Sequence, residues 1–194
     1  MITTLDPASI TEAFDRADMT FWTRQAPRSD CARLRFLLTR TSGLDALAAC
    51  LQTKEHVLSQ VLAGNTPCGD RMLSLRICRE VIRIWQPRVR KRAHQKLIAE
   101  DGSIGVHFRA KFGFTAGAGS SDDPRLRLMS IWLSPAHTAS LLRARERGAK
   151  EQELHSIVES ATGESYFRVY ASRLRAVTLK EVHFIDFSFD SAGS

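Results

Sequence analysis

Basic side chains dominate the residues of this sequence that could do chemistry, and what they offer is neutralisation of anionic charge. The run PRVRKRAHQKL carries Arg88, Arg90, Lys91, Arg92 and Lys96 with no acidic residue among them. Positive charges without a local counter-charge favour contact with phosphates, the alternative being an ordinary solvated face. Arg109 and Lys111 lie two apart in an alternating apolar–polar segment, and Arg125 and Arg127 precede Ser130 and Trp132 in another. Together these residues form the expected DNA-contacting set, in which arginine and lysine clamp phosphates and Ser130 is offered to base edges.

Other chemistry finds no constellation. Cys31, Cys50, Cys68 and Cys78 include no CxxC pair, and His56, His94, His107, His137, His155 and His183 form no HExxH. Structural zinc needs closely spaced ligand pairs, so no metal is expected, and the cysteines read as reduced thiols. A Cys–His nucleophile pair stays open as a minor alternative. The glycines of TAGAGSSDDP match neither GxxxxGKS/T nor GxGxxG opening a helix, so the segment reads as a connector rather than a phosphate cradle. No catalytic residue and no cofactor are expected.

Composition agrees with an anionic partner. The chain has 194 residues, 43% of them hydrophobic, a formal net charge of +7 and a sequence pI near 9.7. Such a chain can bury one sizeable core or two small ones, and its charge shifts the expected partner towards double-stranded DNA or another polyanion. No run of eighteen apolar residues occurs, and MITTLDPASITEAFD is polar and acidic. Neither a membrane span nor a signal peptide is therefore expected, and the expected location is the cytoplasm.

The elements that must position these residues centre on 125–161, RLRLMSIWLSPAHTASLLRARERGAKEQELHSIVESA. Its first nine residues have strand composition. Ser134-Pro135 starts a helix, Gly148 stops it, and Leu154, Ile157, Val158 and Ala161 mark a second helix. Strand, helix, turn, helix is the order of a ribbon-helix-helix module, in which two chains pair their strands and lay the ribbon in a major groove. Any α+β domain also contains such an order. With Met129, Ile131 and Leu133 inward, Leu128, Ser130 and Trp132 face outward. The strand is expected to begin only after Arg125 and Arg127, which leaves both free for phosphates. A ribbon of this kind predicts a homodimer.

A second segment, LDALAACLQTKEHVLSQVLAGN over 44–65, has the pattern of a repressor-type helix-turn-helix. Its recognition helix would run from about Lys54 to Leu62 and show Lys54, Glu55, Ser59 and Gln60 outward. Ordinary packing of two helices is the alternative. Elsewhere Ser9–Arg16 predicts a short helix, with Phe21 and Trp22 anchoring the arm. Leu34, Leu37 and Leu38 predict another helix, broken by Gly43. Asp70–Trp85 predicts a buried helical spine, with Leu75, Cys78, Ile82 and Trp85 on one stripe and Ile77, Val81 and Ile84 beside it. Val106, Phe108, Ala110, Phe112 and Phe114 alternate as a strand over 104–115, which would pair antiparallel with the 126–134 strand. Phe167, Tyr170, Leu174 and Val177 suggest a further helix, and Val182–Phe189 an edge strand or docking tail with a register change.

The order of signals from Asp70 to Val182 resembles the AcaB-type transcriptional activators of conjugative plasmids and related integrating conjugative elements. The likeness lies in LSLRICREV, the basic-aromatic strand region, LLRAR and SRLRAVTLKEV. What it implies is a dimeric, ribbon-helix-helix-like DNA-binding activator of conjugative-transfer genes, with RNA polymerase or a co-regulator as a further partner. Residue by residue, the implication reaches only Leu126–Leu133 and the basic residues flanking it. The resulting expectation is an α+β, mostly helical fold with a short antiparallel sheet: an N-terminal arm over 1–30 and one DNA-binding and dimerisation domain over 31–194. The alternative is a non-enzymatic interaction or scaffold protein of a conjugation or secretion apparatus.

Overall fold

The structure, a computed structural model, describes residues 9–64, 69–116, 121–167 and 174–190. Among these residues the fold is mixed α+β, with eight α-helices and three strands. The chain divides into two compact units, one of Trp22–Pro87 and one of Met1–Phe21 with Arg88–Ser194. Each has its own apolar cluster. This division departs from the expected arm of 1–30 and single domain of 31–194. Residues 9–21 of the arm supply Ile10, Ala13 and Phe14 to the larger unit's core, and Leu34 to Val81 close a separate core. The two adjacent aromatics of the arm part company at the boundary. Phe21 stacks on Phe189 at 4.6 Å, and Trp22 meets Trp85 at 6.4 Å.

The smaller unit is all-helical: α2 (Asp30–Leu38), α3 (Leu44–Cys50), α4 (Glu55–Leu62) and α5 (Arg71–Ile84). Ser29 caps α2 by accepting from the Ala32 amide, and Asp70 caps α5 by accepting from the Met72 amide. As the spine, α5 is set on Leu73, Ile77 and Val81, all buried, rather than on the Leu75–Cys78–Ile82 stripe, whose members are half-buried. A helix apolar on more than half its girth leaves the choice of buried stripe to its neighbours. Here α2 packs against both α4 and α5.

The larger unit holds α1 (Ile10–Ala17), a short 3-10 turn (Asp18–Phe21), α6 (Pro87–Ala99), β1 (Ser103–Ala116), β2 (Ser121–Trp132), α7 (Pro135–Glu146), α8 (Glu151–Phe167) and β3 (Leu174–Asp190). The sheet is antiparallel with order β2-β1-β3. Ile104, Val106, Phe108 and Ala110 of β1, each fully buried, line the face covered by helices, with Ile131, Ile185 and Phe187 from the flanking strands. Ser134 accepts from the His137 amide at the start of α7 and Gly148 (φ +74°) ends it, both as the sequence predicts. The Glu151 carboxylate accepts from the Ile10 and Thr11 amides and so ties α8 to the start of α1.

Three expectations about strands are corrected. Residues 174–177, read as part of a helix, are strand: Val177 sits opposite Phe114 and Ala176 opposite Thr115. β-Branched Val177 and Thr178 suit a pleated ladder better than a helix once a partner strand is present. The register change that the apolar pattern places between Phe184 and Ile185 is not there: it lies between the pairs Arg109↔Phe184 and Lys111↔Lys180, with Glu181 at φ +46° in the bulge. The start of the second strand is corrected too. β2 spans Ser121–Trp132 and so contains Arg125 and Arg127, instead of beginning after them.

Candidate nucleic-acid interface

Two places must be compared: the basic and ribbon residues of the larger unit, and the α3–α4 pair of the smaller one.

The basic run forms α6, and much of it is engaged by the protein itself. Arg90 has only 13% of its side chain exposed and reaches Asp15 at 3.4 Å and Asp18 at 3.6 Å. Asp18 also takes His94 Nε2 at 2.6 Å, and Asp15 takes Arg145 from α7. Burial holds the Asp15 carboxyl above its usual range, outweighing the pull of Arg145 and Arg90 in the other direction. Lys91 pairs with Glu146, and Lys96 lies 3.7 Å from Glu100. Arg90 is therefore withdrawn from the DNA-contacting set. The run itself contains no acid, and apart from Glu100 its counter-charges arrive from α1, the 3-10 turn and α7. Arg88 and Arg92 remain exposed.

The strand candidates fall on both faces of the sheet. Directly opposed residues share a face, so His107↔Ser130, Arg109↔Leu128, Lys111↔Leu126 and Gly105↔Trp132 lie on the face away from the core helices. Leu128 and Trp132 are 73% and 54% exposed there, as the outward alternation predicts. Ser130 accepts or donates to His107 Nδ1 at 2.8 Å, and Lys111 pairs with Glu181 at 2.6 Å. That contact holds the Glu181 carboxyl below its usual range. Arg109 is exposed. Arg127, opposite Ala110, takes the core side and is half-buried with its Nε enclosed, while Arg125 stays exposed. Strand continuity turns Arg127 inward, so the expected pair of free phosphate clamps is not what the sheet presents. Strand, helix and helix do follow one another as β2, α7 and α8. The ribbon edge of β2, however, is taken along one side by β1 of the same chain.

The smaller unit assembles a different surface. α3 and α4 are joined by Leu51–Lys54, and the end of α3 closes in a tight double hydrogen bond. The Thr53 amide donates to Ala48 O at 2.9 Å and the Gln52 amide to Ala49 O at 3.1 Å. Gln52 adopts φ +50°, the left-handed conformation that such a helix end requires. Its carbonyl accepts from Arg76 of α5 at 3.2 Å, which pins the turn to the spine. Leu47, Ala48 and Leu51 before the turn and Leu58 and Val61 after it are all buried. Small Ala48 leaves room where larger side chains would keep the helices apart. Lys54, Glu55, Ser59 and Gln60 are exposed, as the repressor-like pattern predicts, and so is His56, which that reading missed. His56 lies on the stripe i, i+3, i+4 with Ser59 and Gln60, a helical period that was available in the sequence.

Cys31, Cys50 and Cys78 are free thiols, and Cys68 lies outside the described residues. Burial and the nearby Glu80 carboxylate push the Cys50 thiol up. Among the described residues no group of three or more His, Cys, Asp or Glu side chains is arranged to hold a metal, and no helix is long and apolar enough to cross a membrane. Comparison of the chain with protein-family models, with curated proteins and with solved structures returned no match.

Proposed function

We propose that the chain is a sequence-specific DNA-binding protein that regulates transcription, with α3, its turn and α4 docking in the major groove. The observation that carries this reading is the match between the turn and its flanks. A left-handed residue closes the first helix, apolar residues at 47, 48, 51, 58 and 61 are buried, and a polar helix face is left open. The charge of the unit supports it. Residues 22–87 carry ten Lys/Arg against five Asp/Glu, most of the chain's excess of positive charge in a third of its length. Control of promoters by a homodimer, the role implied by the AcaB-type resemblance, belongs to the same proposal.

A second reading, an interaction protein, is favoured by one observation. Leu126, Leu128 and Trp132 form an exposed apolar stripe on one sheet face, 44%, 73% and 54% exposed.

Fluorescence anisotropy of the full chain against a mixed-sequence duplex, at about 50 and 200 mM salt, tests the first reading. Lys54→Glu with Ser59→Glu should weaken binding about tenfold or more through charge placed at the groove, whereas Arg88→Glu with Arg92→Glu should change it less. The reverse ranking would move the interface to α6. A wild-type chain that binds no duplex at either salt concentration would leave the interaction protein in its place.

A further inference from the structure

The exposed residues on the first two turns of α4 differ in hydrogen-bonding capacity. Glu55, His56, Ser59 and Gln60 are exposed, while Leu58 and Val61 of the same helix are buried. At about 100° per residue these four span roughly 140° of the helix girth, one continuous groove-facing surface. The N-terminal part of a recognition helix is the part that meets base edges.

Glu55 is an acceptor only, whereas the Gln60 amide offers a donor and an acceptor side by side. In the major groove cytosine presents an N4 donor, adenine an N6 donor beside an N7 acceptor, and guanine two acceptors. A carboxylate therefore matches cytosine and is repelled by the acceptors of guanine and thymine. An amide matches adenine in a bidentate pair. Glu55 is not engaged in closing its own helix: Lys54 is the N-cap and makes no side-chain cap hydrogen bond. Neither the Glu55 nor the Gln60 side chain has a hydrogen-bond or ion-pair partner among the described residues. No arginine lies on this surface, and its one basic residue, Lys54, precedes the helix as its N-cap.

We propose, building on the DNA-binding reading above, that α4 reads a cytosine through Glu55 and an adenine through Gln60. Each residue sets the base at its own position of the site.

Selection of the full chain on a duplex library with a randomised core, followed by sequencing, tests this. The wild type should enrich sites with a fixed cytosine and a fixed adenine. Glu55→Ala should relax the cytosine alone and Gln60→Ala the adenine alone, each by about five- to a hundredfold in preference. Gln60→Glu should convert the adenine preference into a cytosine preference, a gain that loss of folding cannot imitate. Wild-type sites without these bases, or variants that select the same sites as the wild type, would overturn the assignment while leaving the groove-binding helix pair standing. No enrichment by the wild type would overturn both.

Discussion

Asp15 is held by two guanidinium groups and yet is harder to ionise than an exposed aspartate, because burial outweighs Arg145 and Arg90. Its pKa in the folded chain therefore lies above the usual 3.8. A group of this sign stabilises the fold fully at pH values below its unfolded pKa, and the contribution is lost as pH rises through the folded pKa. Denaturant melts of wild type and Asp15→Asn at a series of pH values should accordingly show the wild type's relative advantage shrinking from acid to neutral pH. An advantage that grows with pH would mean that the two arginines prevail over burial.

Gln52 makes the opposite kind of statement, since its strain lies in the backbone. A left-handed β-carbon residue costs roughly 1–2 kcal/mol, while glycine brings about 0.5–1 kcal/mol of extra unfolded-state entropy. Gln52→Gly should then raise stability by no more than about 1.5 kcal/mol, read as a shift of the urea midpoint at unchanged slope. A fall in the midpoint would show that the Gln52 side chain supports the turn in its own right.

At the scale of elements, α6 and α4 differ in how much of their polar surface the fold leaves open. The helix with five basic residues spends Arg90 on a buried ion cluster and Lys91 on Glu146. The helix with a single basic residue at its start leaves its whole outer face open. Removing one member of a buried ionic cluster strands its partners, so such residues are committed to the fold. Surface pairs of the Lys96–Glu100 kind contribute little and leave a helix free for other contacts. Net charge in a run therefore says less about an interface than the fraction of that charge left over after tertiary pairing.

For the whole molecule, two separate cores predict two responses to damage. Leu58 is fully buried in the cluster of the smaller unit, and Leu→Ala substitutions at such sites cost about 2–5 kcal/mol. Hydrogen exchange of Leu58→Ala should show amides of α3, α4 and α5 losing protection while those of β1 keep theirs. Equal loss across both units would show that the two cores melt as one.

Local signals in the sequence carried much of this fold. Ser134-Pro135 and Gly148 bound α7, Asp70 starts α5, alternation marks β1, and the 44–65 pattern contains both α3 and α4. These are cap, turn and period signals, which depend on neighbours a few residues away. The tertiary structure decided what depends on distant residues. Asp15 and Asp18 claim Arg90, β1 claims the edge of β2, and the ladder with β1 turns 174–177 into strand. It also decided that the described residues close two cores, where composition allowed one large or two small, since an apolar stripe records that a face is buried and carries no mark of which partner buries it.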